Sequence, residues 1–111
     1  MKALEGPFEL LDLAAGEARS MTVVAAEEGE MTIHPSYAPG GKVIHVLRVH
    51  VEQADKPLFP YYWDVTSQTL LAQWAPQVLY AGYRPKRFKV TKVGSGPSAR
   101  FQLATEPAVK A

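Results

Sequence analysis

The chain contains no cysteine, which removes disulfides, thiol nucleophiles and cysteine-ligated zinc or iron–sulfur centres together. Long apolar runs are missing too. Nothing approaches the roughly 18 consecutive apolar residues of a membrane-spanning helix, and Glu5, Glu9 and Asp12 stand where a secretory leader would carry a basic start and an apolar stretch. The sequence therefore predicts a soluble protein of the cytoplasm with no membrane partner. Histidine is scarce: His34, His45 and His50 are the three present, and the odd spacing of His45 and His50 points them to opposite faces of a predicted strand. With Asp64 they make no recognised ligand pattern, so neither a metal nor any other cofactor is expected.

Catalytic signatures are equally thin. Ser36, Ser67 and Ser95 stand in no G-x-S-x-G elbow, and Ser67 reads as a helix start. Glu27, Glu28 and Glu30 crowd a predicted turn, where carboxylates are ordinarily just solvated. Gly94-Ser95-Gly96-Pro97 lacks the Gly-Lys-Ser/Thr end of a phosphate loop and lies between two strand patterns, so it reads as a hairpin turn. The expectation is a protein that is not an enzyme.

What the chain does carry is a charge gradient. Net charge is only +1 over 111 residues, but residues 1–33 hold two basic side chains against seven acidic, residues 34–83 three against three, and residues 84–111 seven against one. One end is thus attractive to polyanions without the whole protein being basic. Length and composition fit a single domain over residues 1–111, with residues 1–16 and 105–111 read as loosely attached termini.

Taken in order, Ser20–Ala26 is rich in β-branched residues and reads as a strand, Glu27–Glu30 as a turn, and Met31–His34 as the returning strand of a hairpin. Two prolines and two glycines make Pro35–Gly41 a loop. Lys42–Glu52 is the clearest strand, and Leu58–Trp63 is extended, with Pro60 confining it to an edge or an irregular strand. Asp64, Thr66 and Ser67 offer helix caps for a helix reaching about Ala81, with Leu70, Leu71, Trp74, Val78 and Leu79 on one face and a kink at Pro76. Lys86–Val93 and Ser98–Leu103 then form a hairpin.

That hairpin is amphipathic. Alternation places Phe88, Val90, Phe101 and Leu103 on the core side and Arg87, Lys89, Thr91, Arg100 and Gln102 on the other, with Arg84, Lys86 and Lys92 extending the positive surface. Cations neutralise phosphates, and rings such as Tyr61, Trp63 or Tyr83 stack on unpaired bases when they face solvent. The same pattern also fits rings packed in the core and lysines that are merely solvated.

Three strands, a helix and two further strands follow the element order of an oligonucleotide-binding (OB) barrel. The segment Arg87–Phe101, a basic strand, a Gly-x-Gly turn, a small hydroxyl residue and an aromatic strand, resembles the tail of small bacterial and phage-encoded proteins, some of them binders of single-stranded DNA; Pro97 and the aromatic run at 59–63 lie outside that pattern. The fold expected is mainly β with one helix (α+β): a small OB-like barrel of five or six strands or a strongly curved antiparallel sheet, the helix preceding the last hairpin. The function expected is non-catalytic binding of single-stranded nucleic acid, most simply single-stranded DNA, with little sequence preference, in replication, repair or recombination. Its site would comprise Arg48, Lys86, Arg87, Lys89, Lys92 and Arg100 with Tyr61, Trp63 and Tyr83. The alternative is a protein-interaction or phage structural or inhibitor module working as a homo-oligomer through the acidic N-terminal third or a strand edge at 43–51.

Overall fold

The computed structural model describes residues 2–96 and 99–106. Five strands and one helix follow in the order β1 (Ala18–Ile33), β2 (Lys42–Val51), β3 (Tyr62–Val65), α1 (Gln68–Val78), β4 (Lys86–Val93) and β5 (Arg100–Glu106). All strand pairs are antiparallel, in the spatial order β3-β2-β1-β4-β5, so the sheet is open, with β3 and β5 as its outer strands. Among the described residues no helix is long and apolar enough to cross a membrane.

β1 corrects the sequence reading. The expected hairpin over residues 20–34 is one strand of 16 residues, running straight through Glu27–Glu30. Two features make that possible. An irregularity in register between Val23 and Ala25 lets the first part of β1 pair with β4 and the remainder with β2. Each of the first two acids then meets a cationic or protonatable partner on β2: Glu28 lies 3.1 Å from His45 and Glu27 2.7 Å from His50. A local turn signal has been overridden by cross-strand pairing.

The N-terminal segment makes specific contacts with the sheet. Leu4, Leu11 and Leu13 are buried, and isolated parallel bridges join Ala3 to Glu30 and Leu10 to Asp64. Gly29 explains the first contact, since a Cβ there would collide with the Lys2 carbonyl and the Leu4 side chain. The second bridge pairs the N-terminal segment with β3, Asp64 N–H donating to Glu9 O (2.7 Å) and Leu11 N–H to Asp64 O (3.0 Å). The outer flank of β3 is thereby covered. The suggested free edge at 43–51 is partly filled as well, because Leu47–His50 pair with β3 while the other side of β2 pairs with β1.

α1 is capped by Ser67, whose hydroxyl accepts from Leu70 N–H. It ends at Val78, shorter than the expected Ala81, with Pro76 inside its last turn, where proline supplies no N–H to the carbonyl of Ala72 one turn earlier. Leu70, Leu71, Trp74 and Val78 pack against Met21, Val23, Leu47, Val49, Val65, Phe88 and Val90 to form the core. Gln73 Nε2 donates to Phe101 O (3.2 Å), tying the helix to the outer strand β5. At the other terminus, Thr105 and Glu106 belong to β5, paired with Phe88 and Arg87, so the strand continues past the predicted Leu103. The remainder of the expected C-terminal tail, and Pro97 and Ser98 of the expected hairpin turn, lie outside the described residues.

Candidate nucleic-acid interface

β4 and β5 form the predicted hairpin, and the register puts Arg87 opposite Glu106, Lys89 opposite Ala104, Thr91 opposite Gln102 and Val93 opposite Arg100. Phe88 and Val90 are fully buried, so alternation turns Arg87, Lys89 and Thr91 to the opposite side. β1 adds Ala18, Ser20 and Thr22 to that surface, opposite Thr91, Lys89 and Arg87. The result is a three-stranded, mostly small and polar face with cations at intervals.

The candidate cations fare differently. Arg48 is withdrawn from the surface: it is 4% exposed, with Nε 2.7 Å from Asp64 Oδ1, Nη1 donating to Glu5 O, and the guanidinium stacked 4.0 Å from the Tyr62 ring centre. Burial alone would push its pKa down, but the hydrogen bonds and charge of Asp64 carry it above the ordinary value. Arg48 is a structural ion, and β-strand alternation along the chain offers it no visible partner because Asp64 arrives from another strand. Arg87 is engaged as well, 3.1 Å from Asp55 and 3.7 Å from Glu106. Lys89 and Arg100 are exposed and Lys92 is half-exposed, and none of the three has a carboxylate partner among the described residues. Lys86 is exposed too, its ammonium 3.3 Å from Tyr80 Oη.

The rings also divide. Tyr83 is half-buried, its hydroxyl donating to Val23 O (2.7 Å), and burial raises its pKa. Trp63 packs against the core with Arg19 and Lys56 each 4.8 Å from its ring centre. Tyr61 is at the margin of exposure, in edge contact with Phe59. The rings that stand furthest into solvent are Tyr37, Phe59 and Tyr80, which periodicity did not single out. Phe59 had one signal, its place before Pro60 in a loop; Tyr80 lies just past the helix end, off its apolar face. A groove of about 700 Å³ beside the hairpin, between α1 and β5, is lined by Thr69, Gln73, Val93, Arg100, Phe101 and Gln102.

Comparison with protein-family models, curated proteins and solved structures found no match. The chemistry of the surface is therefore the basis for a functional reading. Among the described residues no cluster of His, Asp or Glu is arranged to hold a metal ion.

Proposed function

We propose that this protein binds single-stranded nucleic acid, single-stranded DNA in the first instance, without catalysis and with little sequence preference, as an accessory to replication, repair or recombination. One observation carries the reading. Of the described Lys and Arg side chains, Lys2, Arg19, Arg48, Lys56 and Arg87 are each paired with a carboxylate, whereas Arg84, Lys86, Lys89, Lys92 and Arg100 are not; Lys42, near Tyr37, is the other one without such a pair. The unanswered positive charge is thus gathered between residues 84 and 100, on and beside one hairpin. Phosphates bound there release counterions, which gives affinity without base readout.

The arrangement of the sheet adds to this reading. A five-stranded antiparallel sheet with β1 at its centre, pairing with both β2 and β4, and with the helix between β3 and β4 is compatible with a partly open OB-like barrel, an architecture widely used for oligonucleotides. Lys89 and Arg100, on the side of the hairpin turned away from Phe88 and Val90, are assigned to the phosphate backbone, with Lys86 and Lys92, which alternation turns to the Phe88 side, at its margin, and Arg87 to holding the surface in shape. Titration of a fluorescein-labelled oligo-dT at low salt, followed by anisotropy, tests the proposal: saturable binding that weakens steeply with added salt is expected, and no binding at high protein concentration rejects it.

A further inference from the structure

The loop joining β2 to β3 holds two large apolar side chains in water on a backbone fastened from within. Leu58 and Phe59 are 79% and 74% exposed. Beneath them Lys56 is buried, its ammonium donating to Leu58 O (3.0 Å) and Pro60 O and lying 3.4 Å from Glu9 Oε1. A buried ammonium is expensive to desolvate and persists where its protons find acceptors. These bonds set the shape of the loop backbone before any ligand arrives, and a backbone already fixed in place costs less entropy to bind through.

The same loop is tied to the cationic hairpin. Asp55 accepts from Thr22 N–H (3.0 Å) through one carboxylate oxygen and meets Arg87 (3.1 Å) through the other. Behind the exposed residues is a cleft of about 420 Å³, lined by Arg19, Lys56, Leu58, Phe59 and Trp63 together with Glu9, Asp55 and Pro57. That volume is within the range of small-ligand sites. Its charges are already answered, Lys56 by Glu9, Arg19 by Glu17 and Asp55 by Arg87. What the cleft leaves open is hydrocarbon and ring surface, which suits a neutral planar body better than an ion.

We propose that Phe59 and Leu58 form a preorganised stacking platform for an unpaired nucleobase, received at the cleft beside Trp63 while the neighbouring hairpin holds the phosphates. The inference rests on the nucleic-acid reading above. It favours a base over an apolar protein side chain because the Asp55–Arg87 contact makes the loop continuous with the hairpin face that carries Lys89 and Arg100. Lys56 is a positioning residue in this scheme, since it touches the loop carbonyls and acts through Phe59.

Two labelled 12-mers of equal charge, oligo-dT and a fully abasic strand, separate the terms. The wild-type protein should bind oligo-dT more tightly than the abasic strand. Phe59→Ala should weaken oligo-dT binding by at least about fivefold and leave the abasic strand unchanged. Lys56→Met should likewise weaken oligo-dT binding and leave the abasic strand unchanged, and thermal melting of Phe59→Ala should match wild type because the ring is exposed. If Phe59→Ala leaves the ratio of the two affinities unchanged, the platform is wrong and the phosphate reading stands. If neither strand binds wild type, both proposals fall. Self-association of the wild-type protein in light scattering, abolished by Phe59→Ala with no change toward oligo-dT, would make the loop a contact between copies and overturn the platform.

Discussion

Arg48 and Asp64 sit opposite each other on β2 and β3, with Arg48 Nε 2.7 Å from Asp64 Oδ1 and Nη2 3.2 Å from Oδ2. Both side chains are almost fully out of solvent, and the second carboxylate oxygen also accepts from Glu9 N–H (2.9 Å). The pair therefore joins two strands and the N-terminal segment at one point. Removing one partner leaves the other charge buried and unanswered. Arg48→Met or Asp64→Leu is expected to cost about 3–5 kcal/mol, with the Arg48→Met/Asp64→Leu double variant less destabilised than the sum of the singles. Urea unfolding of the four proteins measures this.

Gly29→Ala addresses the N-terminal segment alone. The added methyl group meets the Lys2 carbonyl and the Leu4 side chain, so the segment must shift away from β1. A loss of about 1–3 kcal/mol is expected. Hydrogen exchange should localise it: the Leu4 amide, bonded to Glu30 O at 2.9 Å, should lose protection, while the amide of Leu71, bonded to Ser67 O within α1, should keep it apart from the global change.

Glu27 makes the protein sensitive to acid. Its hydrogen bonds to Lys2 and His50 hold the carboxyl below the ordinary glutamate pKa of 4.5. A folded-state pKa lowered in this way contributes stability above the unfolded value, and that contribution disappears as pH falls through the folded value. Wild type should exceed Glu27→Gln in stability at neutral pH by up to about 1 kcal/mol, since the pair is partly exposed. The gap should close below pH 4.5, which denaturant midpoints at a series of pH values would show.

Charge removal on the hairpin should act on the salt dependence of binding more than on the fold. Lys89→Ala, Lys92→Ala and Arg100→Ala remove side chains with no carboxylate partner among the described residues, so stability should change by less than about 0.5 kcal/mol each. Each contact to phosphate should lower the slope of log affinity against log salt by about 0.7. Anisotropy titrations of oligo-dT at several salt concentrations report both quantities. Arg87→Ala should instead destabilise, because it releases Asp55 and Glu106.

The elements that depend on near neighbours were legible in the amino-acid order. A near-continuous run of β-branched and apolar residues marked β2 and period-two alternation β4, the Ser67 cap and the spacing of Leu70, Leu71, Trp74 and Val78 marked α1, and the charge count marked the basic end. These signals survive because each is written within a few residues of chain. Long-range contacts settled the rest. Glu27–Glu30 looked like a turn until β2 supplied His45 and His50 across the sheet, and Arg48 looked like a surface cation until Asp64 reached it from β3. Residues 1–16 read as loosely attached from their composition, whereas the place of Leu4 beside β1 depends on the room left by Gly29. In each case the deciding partner is distant in sequence, and pairing energies of buried charges and strand registers outweigh local preferences of a few tenths of a kcal/mol. The same holds for the cations of the hairpin: composition located them, and only the positions of the carboxylates showed which ones remain available.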